Sequence, residues 1–344
     1  MLQPSHFSAP IVVKRSQGRQ SIAARQKTGA RQTQSKNPNE MSPQPNSALH
    51  KFAITTSAFT VLLLMAGALV TSNDAADSVP DWPLAYGKII PPLVGGIRYE
   101  FTHRVVAGVV AVLTLILAIW LTTSDKRPSI RRLGWAAVAL VIAQALLGAA
   151  RVLLGHPPLI ATVHATIAQI FFITTVALAL ATSQWSLSEH TPQDDAGSPK
   201  LSLLALWTTL IILMQLVLGA GFRHGAFGIL PHLIGAAAVT FFVIWTTRIA
   251  KKRFANTREI RTSIKWLNAT FGTQILLGIA AYWAVAKAID EAQPTPSYVI
   301  LTVAHVLVGA LTLASSVILT LICYRLLRPS GAAQLTSQAS RAAV

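Results

Sequence analysis

Four histidines lie near the start of long apolar segments, where a titratable side chain is costly unless it has a partner. They are His103, His164, His232 and His305. In each case the residue one helical turn further on is small, namely Ala107, Ala168, Ala236 and Gly309. This spacing predicts open space beside each imidazole on its own helical face. A single such histidine often only bonds a neighbouring helix, but four at matching positions favour a shared role in binding a flat ligand.

One of these histidines has an acidic neighbour. Glu100 lies three residues before His103, so the two side chains share one face of a helix. The same offset before the other histidines holds Ala161, Ile229 and Thr302. A carboxylate in an apolar site can act as a proton acceptor. The alternative is an ordinary ion pair of Glu100 with Arg104 or Arg98.

The segments that position these residues are typical of a membrane protein. The chain has 344 residues, of which 52% are hydrophobic and only 12% charged. Eight apolar runs reach the length of about 20 residues that a membrane-spanning helix needs. They are 52–71, 101–121, 133–154, 160–182, 201–221, 231–249, 264–285 and 298–324. The sequence therefore predicts an all-α membrane protein with eight transmembrane helices.

The distribution of basic residues predicts the orientation. With eight spans both termini lie on one side, and that side carries 23 of the 29 lysines and arginines. By the positive-inside rule this side is cytoplasmic, which places all four histidines in the outer half of the membrane. The net charge of +17 does not indicate nucleic-acid binding, because the basic residues lie in connectors and a tail rather than on one face.

A repeated pattern predicts the domain organisation. The motif Gln-x-x-Leu-Gly occurs at Gln144–Gly148, Gln215–Gly219 and Gln274–Gly278, each before a histidine helix, while the first helix keeps only the small residues of Met65–Ala68. We interpret these residues as allowing close helix packing. The unit is a helix pair, so two pairs make a four-helix bundle, and there are two bundles. The predicted boundaries are a disordered basic tail at 1–48, bundles at 49–183 and 201–326, a cytoplasmic linker at 184–200 and a flexible tail at 327–344.

Two imidazoles from facing helices are the ligands of a six-coordinate haem iron. The repeat places His103 with His164 in the N-terminal half and His232 with His305 in the C-terminal half. A metal without a porphyrin would normally need three or four protein ligands. At the outer rim, Arg104, Arg151 and Arg223 could bind haem propionates or extend to the lipid headgroups. The single cysteine, Cys323, is interpreted as packing.

The outer loop at 72–99 is rich in turn-forming residues. Its apolar side chains, Trp82, Leu84, Ile89 and Ile90, could lie on the membrane surface, so we interpret the loop as a lid over the N-terminal bundle. Two further histidines, His156 and His224, lie in shorter outer loops and are expected to face solvent.

Three stretches carry a resemblance to a known family. Asp81–Gly87 (DWPLAYG), Ile90–Pro92 and Glu100–Arg104, together with the histidines of alternate helices, resemble the haem A synthases over about 52–325. The resemblance implies oxidation of a methyl group of haem O, through an alcohol, to the formyl group of haem A, with the oxygen derived from water. It implies that Glu100 assists as proton acceptor or charge stabiliser, that His103 and His164 hold haem O, and that His232 and His305 hold a haem B cofactor.

One departure from the family pattern concerns the lid. Some members carry a cysteine pair around its Trp-Pro-Leu, where this chain has Ser78 and Ala85. No disulfide can therefore hold the lid here.

Two other functions compete with the synthase: a membrane b-type cytochrome that only transfers electrons, and a transporter with histidine proton relays. The expected partners of a synthase are haem O, the lipid bilayer, haem O synthase and an unidentified electron acceptor, with homo-oligomerisation left open. A bacterial plasma membrane is favoured over the mitochondrial inner membrane, although the basic tail also fits an organellar transit peptide.

Overall fold

The computed structural model describes residues 46–288 and 290–328. In this part of the chain, eight helices are long and apolar enough to cross a membrane. They are α1 (Ser47–Ser72), α2 (Ile97–Ser124), α3 (Pro128–Leu153), α4 (Pro158–Ala181), α6 (Leu201–Arg223), α7 (Ile229–Arg253), α8 (Arg258–Ala288) and α9 (Pro296–Leu326), with a short helix, α5 (Gln184–Leu187), between α4 and α6. The prediction of an all-α membrane fold with eight spans is confirmed. Except for 46–48 and 327–328, the two predicted tails lie outside the described residues.

Local sequence signals fix several helix ends. The side chain of Asn46 accepts a hydrogen bond from the Leu49 N–H and so caps α1. Three helices, α3, α4 and α9, begin with a proline. Proline is tolerated in the first turn because the N–H group that it lacks would have no hydrogen-bond partner within the helix. The helices extend beyond the predicted apolar runs. For example, α8 begins at Arg258 rather than near residue 264, because the polar residues that precede its apolar run are compatible with helix.

The eight long helices pack in the same order in both halves of the chain. In the N-terminal half α1 and α3 each pack against α2 and α4, and in the C-terminal half α6 and α8 each pack against α7 and α9. Each half has its own apolar core. The halves meet where α1 contacts α9 and where α4 contacts α6 and α9.

The linker between the halves is anchored to the end of the last helix. Strand β1 (Gln193–Asp194) pairs in parallel with strand β2 (Leu327–Arg328), which the sequence assigned to a flexible tail. Asp195 then accepts hydrogen bonds from the Leu201 and Ser202 N–H groups and caps α6. These contacts lie at the end of the helices opposite the histidines.

Candidate functional site

Each of the four histidines lies against a glycine of the preceding helix. A Cβ atom built on the glycine would lie within 4 Å of Cε1 of the imidazole in every case: 3.2 Å for Gly67 and His103, 3.6 Å for Gly148 and His164, 2.8 Å for Gly219 and His232, and 3.1 Å for Gly278 and His305. A side chain at the closest of these positions would overlap the ring. The glycines therefore make room for the histidine rings.

The sequence interpretation missed this role. The glycines of the Gln-x-x-Leu-Gly motif were expected only to allow close helix packing, and Gly67 has no glutamine before it. The signal that could have identified them was their constant place in the helix before each histidine. The predicted open space one turn after each histidine is not present at Gly309, where Leu216 and Gln274 already lie close to the backbone.

The glutamines of the motif bond to the histidine that follows. Gln144 Nε2 donates to the carbonyl of His164 at 3.0 Å. Gln215 Nε2 donates to the carbonyl of His232 at 2.9 Å and lies 3.0 Å from its Nδ1 atom. Gln274 Nε2 lies 3.3 Å from Nε2 of His305. In α1 the matching position holds Leu63, so the His103 ring lacks this partner.

The rings of the C-terminal pair lie close to each other. The ring centres of His232 and His305 lie 6.4 Å apart, with the ring planes at 80°. A metal–imidazole bond measures about 2 Å, so two imidazoles on opposite sides of one metal have ring centres about 6 Å apart. The spacing of this pair therefore fits a single bridging iron.

The donor atoms also fit a haem better than a bare metal ion. Nδ1 of His103, His164 and His305 is buried and has no hydrogen-bond partner among the described residues, although buried polar atoms normally have one. Within 46–288 and 290–328 no group of three or more His, Cys, Asp or Glu side chains could hold a metal ion. Two imidazoles in an apolar bundle are, by contrast, the ligand set of a six-coordinate haem.

Among residues 46–288 and 290–328, a buried carboxylate, that of Glu100, lies on the helix of a candidate histidine in the N-terminal half only. Glu100 is 5% exposed, and its Oε1 atom accepts a hydrogen bond of 2.7 Å from Arg104 Nη2. Its Oε2 atom accepts one of 3.0 Å from the backbone N–H of Val79, in the outer loop. Glu100 therefore forms the ion pair considered as its alternative role, and it also holds the loop.

Arg104 holds the same loop at a second point. Its Nη1 atom donates to the carbonyls of Asp81 and Leu84, at 2.8 and 2.9 Å. The Glu100–Arg104 pair thus bonds directly to three places in the loop. The loop crosses the N-terminal half without a disulfide because these bonds fasten it.

The tip of the loop is closed by its own side chains. The Asp81 carboxylate accepts hydrogen bonds from the Gly87 and Tyr86 N–H groups, at 2.8 and 2.6 Å. The hydrogen bond from Gly87 has the largest effect on the pKa of Asp81, which is lowered overall even though partial burial opposes the shift. The Tyr86 hydroxyl donates to the carbonyl of Ser78 at 2.8 Å. This bond links the two ends of the segment that a cysteine pair would join.

The three outer arginines differ in what they bind. Arg104 is engaged as described, and Arg223 Nη2 donates to the Ala68 carbonyl at 3.2 Å and to Ser72 Oγ at 2.5 Å. Ser72 Oγ lies 2.8 Å from Thr302 Oγ1, so these residues connect α6, α1 and α9 across the two halves. Nε of Arg151 is buried and has no partner among the described residues. Of the three, Arg151 keeps a buried donor for an anion.

The two histidines of the shorter outer loops are half buried rather than solvent-facing. His156 Nδ1 lies 2.8 Å from Asp77 Oδ1, which ties the α3–α4 connection to the outer loop. Burial, and then the positive charges of Arg151 and Arg223, lower the pKa of His224 to about 4. His224 is therefore neutral at neutral pH. Neither side chain belongs to the two histidine pairs.

Comparison with known proteins finds one matching family model and several relatives. The model of the cytochrome oxidase assembly protein family COX15-CtaA matches residues 97–231, which include Glu100, His103 and His164. A heme A synthase from Lysinibacillus sphaericus is 37% identical over 142 residues, covering 40% of this chain and 46% of the relative. One from Alkalihalophilus pseudofirmus is 33% identical over 155 residues, covering 44% and 50%.

A longer match extends over both halves. The heme A synthase of Symbiobacterium thermophilum is 26% identical over 268 residues, covering 67% of this chain and 84% of the relative. The matches to the first two relatives span about half of their length. The chain is thus similar to the COX15-CtaA family of cytochrome oxidase assembly proteins over residues 97–231 and to bacterial heme A synthases over a longer stretch, and it has eight apolar helices that carry histidines at matching positions.

Proposed function

We propose that this protein is a haem A synthase, which oxidises a methyl group of haem O through an alcohol to the formyl group of haem A. The observation that carries the proposal is the asymmetry between two similar histidine pairs. Both pairs would offer two imidazoles to a haem, but in the described part of the chain the N-terminal pair alone has a buried carboxylate, Glu100, and a fastened loop beside it. Oxidation at the edge of a porphyrin needs a proton acceptor next to one haem only.

The roles of the side chains follow from this asymmetry. His103 and His164 would hold the substrate haem O, with Glu100 taking up the protons released beside it. Haem B held by His232 and His305 would supply one-electron redox chemistry and pass electrons to an external acceptor. Water supplies the oxygen of the formyl group in this proposal.

Glu100 is prepared for this role by its two hydrogen bonds. The Arg104 guanidinium and the Val79 N–H each bind one carboxylate oxygen, which leaves the second lone pair of each oxygen for a proton or for the substrate. Because Arg104 also binds two loop carbonyls, displacement of the loop would move the carboxylate. We infer that the loop positions Glu100 and excludes water from it.

Arg151 is the arginine best suited to a haem propionate. Its Nε donor is buried and lacks a partner among the described residues, whereas donors of Arg104 and Arg223 are bonded to the protein. A charge-assisted bond from Arg151 would orient the substrate with its propionates toward the outer rim. Arg104 and Arg223 would then serve mainly to hold the outer loop and the helices in place.

The protein would act in the bacterial plasma membrane, with both sites on the outer side and its termini in the cytoplasm. The relatives named above are bacterial, and the basic residues lie mainly at the end of the helices opposite the histidines. Haem O synthase would deliver the substrate, and a separate acceptor must remove the electrons.

Pigment extraction tests this function. The full chain is purified from cells with and without a supply of haem O, and the bound haems are separated by chromatography. We expect haem B in both preparations, and haem O or haem A only when haem O is supplied. Haem B alone in both would identify an electron-carrying b-type cytochrome, and a preparation without Soret absorption would exclude both haem functions.

A further inference from the structure

A groove of about 790 Å³ lies at the opposite end of the molecule from the histidines. It runs between the two halves, where the first part of α1 and the last part of α4 face the first part of α8 and the last part of α9. Its volume is within the range of about 300–1,000 Å³ that is typical of small-molecule sites. None of the residues assigned to the haem sites lines it.

The walls of the groove are mainly apolar. Val61 and Phe172 come from the N-terminal half, and Leu311 and Ile318 from the C-terminal half. Trp266 lines the groove and is 65% exposed, so the groove opens toward the surroundings of the helices, which in a membrane are lipid chains. A ligand with long hydrocarbon chains would bury these walls.

Two donors in the lining have no partner. Ser57 Oγ and Trp185 Nε1 are buried and make no hydrogen bond within 46–288 and 290–328. An unmade hydrogen bond of a buried group costs about 1–3 kcal/mol. A ligand whose oxygen atoms can accept hydrogen bonds would remove this cost.

Basic side chains on α8 lie at the groove and next to it. Arg258 lines it, and Arg261 and Lys265 follow three and seven residues later on the same side of α8, all three exposed. In the described part of the chain none of the three forms an ion pair. The lining itself holds one basic and one acidic residue, Arg258 and Glu259, while Arg261 and Lys265 lie outside it, so these four side chains together carry a net positive charge. The charge favours an anionic head group.

We propose that this groove binds an anionic phospholipid, which fills the space between the two halves of the protein. The phosphate would lie at Arg258, the acyl chains between the apolar walls, and the ester oxygens within reach of the unpaired donors. Basic pockets between transmembrane helices are typical sites for anionic lipids. This site is independent of the proposed haem chemistry.

Lipid retention by the purified full chain tests the proposal. The protein is delipidated in detergent, phosphatidylglycerol or phosphatidylcholine is added, and bound lipid is measured by native mass spectrometry together with Tm. We expect phosphatidylglycerol to be retained and to raise Tm, and phosphatidylcholine to do neither. Equal retention of both lipids would overturn the proposal.

Substitutions then locate the site. Arg258→Gln should weaken phosphatidylglycerol binding about fivefold, while Arg132→Gln, an equal charge change at the same end of α3, should leave it unchanged. Leu311→Trp should fill the groove and abolish retention although Arg258 is present. If Arg132→Gln lowers retention as much as Arg258→Gln does, or if Leu311→Trp leaves retention intact, the lipid binds elsewhere and the proposal is wrong.

Discussion

The N-terminal and C-terminal histidine sites share a frame, meaning the same placement of histidines against glycines of the preceding helix. They differ in the residues that surround this frame. In both, imidazoles near the start of alternate helices lie against glycines of the preceding helix. At the offset of Glu100 before His103, α9 has Thr302, which bonds to Ser72 rather than to a loop. The long outer loop bonds to the N-terminal site, whereas α6 and α7 are joined by only five residues, 224–228. In the proposed function the shared arrangement would hold a haem in each half, and the differences would confine the chemistry to one of them.

The largest effect should come from removing a ligand in either half. His305→Ala should abolish haem binding in the C-terminal half and His103→Ala in the N-terminal half, because each half would lose one of the two imidazoles proposed to hold its haem. Haem content and the absorption spectrum of each purified variant provide the measurement. If either variant retained both haems with unchanged spectra, the pairing of these histidines would be refuted.

Glu100→Gln should separate binding from chemistry. The amide keeps the shape of the side chain but cannot take up a proton as a carboxylate does, so haem A formation should fall by a factor of about 10²–10⁴ with haem content largely kept. Chromatography of haems from cells that express the variant measures this. Glu189→Gln, an exposed glutamate at the far end of the molecule, is the matched control. Normal haem A formation by Glu100→Gln would show that Glu100 is not the proton acceptor.

The features shared by the two halves were largely predictable. Eight apolar runs of sufficient length specify eight helices, because each span must satisfy its backbone hydrogen bonds internally. The recurrence of His103, His164, His232 and His305 in alternate runs then identified the candidate ligands. These are properties of single segments, which periodicity and length reveal directly.

The features that distinguish the halves were only partly predictable. The position of Glu100 was visible in the sequence, but its bond to Val79 and the bonds of Arg104 to the loop depend on the path of an irregular segment. The link from Arg223 through Ser72 to Thr302 joins three helices far apart in the chain. Neither set of hydrogen bonds can be recognised in a single segment of the sequence, because each forms only when distant segments pack together.

The glycines beneath the histidines provide a graded test of the shared frame. Gly219→Ala should displace His232 most, because the new Cβ would lie 2.8 Å from the ring, while Gly148→Ala should have the least effect, at 3.6 Å from His164. Overpacking of this kind typically costs about 1–3 kcal/mol. Haem retention during purification gives the measurement. Similar retention in the two variants would show that the glycines do not set the position of the rings.

Ser72→Ala tests whether the two sites are held in a fixed relation. The substitution removes the acceptor of Arg223 and the partner of Thr302, so we expect a loss of stability of about 1 kcal/mol. Thermal unfolding of the purified protein measures the loss. Thr55→Val is the control, since the Thr55 hydroxyl is exposed and bonds only to its own helix. Equal Tm values for the two variants would show that this bridge does not stabilise the contact between the halves.

The smallest effect should come from Tyr86→Phe, which removes one exposed hydrogen bond of the outer loop. The loop keeps its bonds to Arg104 and the Asp81 turn, so haem A formation should change little while amide exchange of residues 78–87 rises. Because the pKa of Asp81 is lowered, its stabilising contribution is present above the ordinary carboxyl pKa and is lost only as the pH falls through the lowered value. The exchange measurement at pH 5 and pH 7 should therefore show the same protected turn. Tyr324→Phe, about equally exposed at the far end of the molecule, should leave this region unchanged. If Tyr86→Phe also left it unchanged, the Tyr86 hydroxyl would not substitute for the missing disulfide, and the loop would be held by Arg104, Glu100 and the His156–Asp77 contact.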